Sequence, residues 1–268
     1  MRFTFGIITG GDQDIFINEI IDSIEENKIP EYEIFVIGKF TCQRKNTYVV
    51  PFDESVKKGW ITKKKNLIAR LANYENLVLM HDYVCLEPGW YEGFLKYGDT
   101  FNYLITPIRS IDGSRGFDYT LSPFFHAFQY PPSNNQFQAH LHAYFMNNTL
   151  LPYSFKGSYG AGRYMYISGA YFVIKTKVLL EVPLDERRVW GQSEDLDHSI
   201  QLHRSGYFIE CNPYSAVRLL KEKDLPPWAK EADPFMVSLF KGYCEVPEFH
   251  EGQLAVVDDF LKSIEPKE

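Results

Sequence analysis

Two short segments place carboxylates beside residues of other useful chemistry. In the first, Leu77-Val78-Leu79-Met80 runs straight into His81-Asp82-Tyr83. A strand that ends this way presents a carboxylate and an imidazole together at the carboxyl edge of a sheet. Such a pair can supply part of the shell of a divalent ion, Mn2+ or Mg2+, that also holds phosphates. The same residues also suit a plain turn, opened by Asp82, with His81 satisfied by a neighbour. In the second segment, Trp190-Gly191-Gln192-Ser193-Glu194-Asp195-Leu196-Asp197-His198 opens a helix whose apolar face continues through Leu196, Ile200 and Leu202. Ser193 reads as its N-cap. Acids in a first turn complement the helix dipole, so capping alone accounts for Glu194 and Asp195 at this level.

Those segments need elements to hold them. Phe3 to Ile8 is an apolar, β-rich run that stops at Thr9-Gly10-Gly11-Asp12. Ile15, Ile17, Ile20, Ile21 and Ile24 recur at near-helical spacing, and Asn27-Lys28-Ile29-Pro30 ends that helix. Tyr32 to Ile37 is a second strand closed by Gly38, and Tyr48 to Phe52 a short third. A helix with a basic start follows from Lys63 to Ala72, and Leu77 to Met80 is a fourth strand. The order β-α-β-β-α-β predicts a mostly parallel, helix-covered sheet. Ligands of such sheets sit at the carboxyl ends of the strands, which here means Thr9 to Asp12, Gly38, Asp53 and His81 to Tyr83.

Further along, Arg163 to Ile174 reads as one strand broken by a glycine, Ser193 to Ser205 as a helix stopped by Gly206, and Tyr207 to Cys211 as a last strand. Between about 99 and 163 no period is clean. Phe124-Phe125-His126, Tyr130-Pro131-Pro132, His140, His142 and Tyr144 mark either a functional insertion or an irregular packed segment. The stretch 226–268, opening with Pro226-Pro227-Trp228, is expected to dock on the body.

Composition removes several classes of function. The 268 residues are 45% hydrophobic and include 21 Phe, 18 Tyr and 4 Trp, too aromatic for a disordered chain. A formal net charge of -7 repels a polyanion and argues against nucleic acid as a partner. No apolar run reaches the roughly 18–20 residues that span a bilayer. The N-terminus reads as a strand rather than a signal peptide. Cys42, Cys85, Cys211 and Cys244 are scattered, which suits reduced thiols and a cytoplasmic location.

Taken together, Gly59-Trp60-Ile61-Thr62-Lys63-Lys64-Lys65-Asn66, Leu77 to Val84 and Leu86-Glu87-Pro88-Gly89-Trp90 resemble the nucleotide-sugar half of GT-A-fold glycosyltransferases, especially family 2-like ones. That family has a Gly seven residues before the Asn of an Arg-Asn pair, a hydrophobic strand entering a DxD motif, and a Pro-x-Trp step beyond it. Here Lys65 replaces the Arg, and His81-Asp82-Tyr83 keeps only the central acid. The resemblance extends to Glu194-Asp195 at a helix start and to Arg204-Ser205-Gly206-Tyr207 at the helix end.

The resemblance implies an α/β, GT-A (Rossmann-like) single domain with a central mixed, mostly parallel sheet flanked by helices. Residues from about 1 to 98 would bind the nucleotide sugar and those from about 99 to 225 the acceptor. It implies an inverting transferase that moves a sugar from a nucleoside-diphosphate donor to a hydroxyl of a glycan or glycoconjugate, with Asp195 as base and Glu194 as its partner or an acceptor ligand. Donor contacts fall to Thr9, Gly10, Gly11, Asp53, Lys65 and Asp82, and acceptor contacts to Trp190 and Gly191. A divalent cation would be held by Asp82 and His81, completed by His250 or His198. The aromatic residues from Phe117 to Tyr171 would form part of an acceptor-side wall. The alternatives are a binding protein that keeps the fold without turnover, and a metal-dependent hydrolase using His81 and Asp82.

Overall fold

The computed structural model describes residues 1–121, 150, 153 and 165–221. The expectations for 122–149, for 154–164 and for 222–268, including His250, lie outside the described residues.

Alternation of buried apolar residues with turn chemistry produces the strands in the expected order. β1 (Phe3–Ile8), β2 (Tyr32–Ile37) and β3 (Thr47–Val50) lie side by side, parallel and in register. The chain then returns through β4 (Asn76–His81), which pairs with the opposite edge of β1 and places Ile8 beside His81. The strand order therefore reverses between β1 and β4, the place where open α/β sheets leave a crevice. β5 (Val84–Leu86), β6 (Tyr103–Ile105), β7 (Ile108–Arg109), β8 (Tyr119–Leu121) and β9 (Met165–Ile167) follow. β10 (Tyr171–Lys175), β11 (Ile209–Cys211) and β12 (Val217–Leu219) complete the strands among the described residues.

The main sheet runs β11-β6-β10-β4-β1-β2-β3. Only β10 is antiparallel to its neighbours, β4 and β6, so the sheet is mixed and mostly parallel. β5, β12 and β7 form a second, small sheet, and β8 pairs with β9.

Helices supply the cover. α1 (Asp14–Glu26) buries Ile17, Ile20, Ile21 and Ile24, each contributing about 1.5–3 kcal/mol on removal from water. Ile15 fits the spacing but sits in the first turn, 82% exposed. α2 (Ile61–Leu71) packs against β1, where Gly6 admits the Ile68 side chain; a Cβ at Gly6 would lie 2.6 Å from it. α3 (Trp90–Tyr97) drives Trp90 and Phe94 against Phe3. α4 (Thr176–Glu181) follows β10, and α5 (Glu194–Arg204) carries the second acidic cluster.

Two expectations change. The described part of the run expected as one strand, 165–174, is two strands in different sheets, β9 and β10, separated by the Ser168-Gly169-Ala170 turn. The stretch from 99 to 121 is not irregular: β6 belongs to the main sheet, and β7 and β8 to the small ones. Among the described residues no helix is long and apolar enough to cross a membrane. Cys42, Cys85 and Cys211 are free.

Candidate active site

The first acidic cluster meets the first strand at the reversal point. Register puts Ile8 beside His81, so the next residues, Thr9 and Asp82, leave the sheet together. The Thr9 hydroxyl donates to Asp82 Oδ2 at 2.6 Å, and Gly11 N–H donates back to Thr9 Oγ1 at 3.0 Å. Burial raises the Asp82 pKa, and the Thr9 hydroxyl and the charges of Lys221 and Lys64 pull it the other way. Gly38, at the end of β2, must be a glycine. Its φ is +141°, and a Cβ there would lie 2.3 Å from the Thr9 carbonyl oxygen. Beside this turn Asp12 to Phe16 and Lys39 to Thr41 line a cleft of about 540 Å3, which places the exposed Ile15 at its wall. Gly10 is exposed.

The basic triplet at α2 is not a solvated face. Lys64 and Lys65 are buried. The Lys64 ammonium donates to Thr9 O at 2.5 Å and pairs with Glu54, while Lys63 lies over the Trp60 ring at 4.1 Å. The Lys65 ammonium donates to Gly169 O at 2.7 Å. Lys65 is fully buried, and this bond ties it to the Gly169 turn. Asp53 is exposed; its carboxylate accepts the Ser55 N–H at 2.8 Å, and the Ser55 hydroxyl first and this amide second lower its pKa. Its neighbour Glu54, which the sequence reading passed over, is the acid that turns inward to Lys64.

The second cluster reaches the same turn from the other side. Gly169 N–H donates to Asp195 Oδ2 at 3.0 Å, and Leu196 N–H donates to Asp195 Oδ1 at 2.8 Å. Each carboxylate oxygen is thereby oriented by a backbone amide. Glu194 is buried beside it, with Oε1 3.0 Å from where a Gly169 Cβ would stand. Ser193 occupies the N-cap position but makes no side-chain cap. Its φ is 51°, in the left-handed region. Asp197 points into the protein instead, facing the buried Arg188 at 3.4 Å.

A strap, 184–190, ties this helix start to α2. Leu184 N–H donates to Asn66 Oδ1, Thr62 Oγ1 to Arg188 O, and Trp190 N–H to Gly59 O. Gly59, with φ +66°, lies 3.5 Å from the Trp190 Cβ. Trp190 and Gly191 are both half-buried, and Gly191 turns with φ 81° immediately before the acids. The two segments singled out in the sequence, Gly59 to Asn66 and Trp190 to Asp197, are therefore in direct contact. Of the aromatic residues expected to form a wall, Phe117 and Tyr166 stand 5.7 Å apart, ring to ring.

A divalent ion fits this donor set poorly. His81 is buried, its backbone N–H donating to Ala170 O and its ring edge-on to Tyr83 at 5.4 Å. His198 lies in the core with Nε2 2.9 Å from Val182 O, and burial lowers its pKa to about 4. Among the described residues no group of three His, Cys, Asp or Glu side chains comes together to hold a metal.

A reversed, mixed sheet with a carboxylate at the end of β4 and a paired acid at a following helix start is the GT-A architecture. The sequence matches no family model and no curated protein. Solved structures are similar in fold. One is S. aureus TarS, with a TM-score of 0.51 and 14% identity over 81% of this chain and 36% of that one. A second is S. aureus TarS 1-349 in complex with UDP-GlcNAc, at 0.56 and 13%, over 97% and 72%. A third is GalNAc-T7 with UDP, GalNAc and Mn2+, at 0.57 and 12%, over 84% and 44%. The chain thus spans less than half of the first and the third.

Proposed function

We propose that the protein is a glycosyltransferase that uses a nucleoside-diphosphate sugar and transfers its sugar, with inversion, to a hydroxyl of a glycan or glycoconjugate. The observation that carries this reading is the Gly169 turn. Lys65 holds it from the donor half, and it holds Asp195 from the acceptor half.

The nucleotide lies in the cleft between Asp12–Phe16 and Lys39–Thr41, with the diphosphate toward Thr9, Gly10, Gly11 and Asp82. An acceptor hydroxyl is a poor nucleophile near neutral pH. Asp195 takes its proton as the oxygen attacks the anomeric carbon, and the nucleoside diphosphate leaves from the opposite face. Both Asp195 oxygens are already oriented by amide donors and each keeps lone pairs for the incoming proton. One base and one displacement give inversion. Trp190 and Gly191 stand next to the acids on the acceptor side. Among the similar structures, one holds UDP-GlcNAc and another UDP and GalNAc, which makes uridine donors the first to try.

The retention of a single acid at 81–83 favours a second reading, a protein that binds the donor without turnover. Incubation with a panel of uridine and guanosine diphosphate sugars, followed by assay of released nucleotide, separates the two. Release from at least one donor is expected. Binding without release supports the second reading, and neither binding nor release overturns both.

A further inference from the structure

We propose that the donor's diphosphate is neutralised at this site by the Lys221 ammonium rather than by a divalent cation on Asp82. The proposal rests on the donor-binding reading above and departs from the metal expected of the fold. Its first ground is the chemistry of the donor set. Asp82 is the sole acid of its segment and already accepts a hydrogen bond from the Thr9 hydroxyl, while His81 and Tyr83 are buried on either side of it.

The second ground is a cation already at hand. β12 pairs antiparallel with β5, matching Leu219 with Val84, and Leu220 N–H donates to Tyr83 O at 2.9 Å. This pairing delivers Lys221 beside the first acidic cluster. Its ammonium stands 5.5 Å from the centre of the Tyr83 ring and 5.9 Å from that of Phe16, and it interacts electrostatically with Asp82. Phe16 also lines the cleft assigned to the nucleotide, so Lys221 neighbours a wall residue of that cleft and acts on the Asp82 carboxylate.

Lys64 is the other cation acting on Asp82, but its charge is met by Glu54 and its proton by Thr9 O. Lys221 makes no hydrogen bond or ion pair among the described residues. An ammonium with three unused donors suits phosphate oxygens. Its positive charge also makes the addition of a divalent cation beside the same carboxylate less favourable.

Calorimetric titration of the full chain with UDP and with GDP, in EDTA and in Mn2+, tests this. Binding in EDTA should stay within about threefold of that in Mn2+, a small free-energy difference. Lys221→Met keeps the stem against the two rings and removes the charge; it should weaken binding in EDTA by at least about tenfold, the scale of a charge-assisted contact. Lys221→Arg should recover most of that loss. Binding that EDTA abolishes and Mn2+ restores overturns the proposal alone, as does a Lys221→Met variant that folds and binds like the wild type. No binding of either nucleotide under any condition overturns the donor reading and this proposal with it.

Discussion

Asp195 Oδ2 accepts the amide proton of Gly169 at 3.0 Å, from a residue whose carbonyl is held by the Lys65 ammonium. One glycine thus connects the helix that follows the third strand with the acid at the start of α5. Its lack of a side chain is what allows the approach. A Cβ at Gly169 would lie 3.0 Å from the Asp195 Cβ and 3.0 Å from Glu194 Oε1.

Gly169→Ala should therefore shift the acids without touching the nucleotide cleft. Overpacking of this kind costs about 1–3 kcal/mol. Denaturant unfolding should report a loss in that range, and transfer should fall while UDP affinity stays close to wild type. A variant with unchanged transfer would mean that the spacing of the turn and the acids is not critical.

Asp82 gives a prediction with the opposite sign for stability. Burial raises its folded pKa above the ordinary carboxylate value, so the ionised form costs the folded state stability at neutral pH. That cost fades as the pH falls through the folded pKa and is gone below the unfolded value of about 3.9. Asp82→Asn keeps an acceptor for Thr9 and removes the charge. It should be more stable than wild type near neutrality, with the difference closing in acid. Denaturant midpoints across that range check it; a variant less stable at neutral pH contradicts the assignment.

His198 should make the fold acid-sensitive. Its pKa is lowered to about 4 by burial, so protonating it in the folded state is unfavourable. Stability on this account is full above the unfolded value of about 6.5 and falls as the pH drops towards 4, by on the order of 3 kcal/mol. His198→Gln keeps a donor for Val182 O and should flatten that slope. An unchanged slope would assign the acid sensitivity to other groups.

The frame of the fold was legible because its signals are local. Phe3 to Ile8, Tyr32 to Ile37 and the isoleucines of α1 carry their periods within a few residues. Ile15 obeyed the period and still faces solvent, because the first turn of α1 overhangs the cleft rather than the sheet. The division of 165–174 into two sheets was hidden, since both flanks of Gly169 are buried and a change of sheet leaves no mark on hydropathy.

The surroundings of the lysines were hidden for a similar reason. A basic triplet reads as surface unless its partners are known, and those of Lys64 and Lys65 lie 10 and 104 residues away. His198 was a metal candidate by residue type alone, and its surroundings, Phe172 and Tyr103, make it a core residue. The acids themselves were found correctly as a cluster. Which of them faces the Gly169 turn and which faces Arg188 depended on the left-handed kink at Ser193.

The central claim, that Asp195 is the base of a glycosyl transfer, is tested most directly by Asp195→Asn. Turnover of the donor identified in the nucleotide-sugar panel and calorimetric affinity for the matching nucleoside diphosphate are measured on the same preparation. The account predicts that transfer falls by about 10²–10⁴-fold, the usual contribution of general-base catalysis, while nucleotide affinity stays within about twofold. Equal loss of both, or transfer at the wild-type rate, would contradict it.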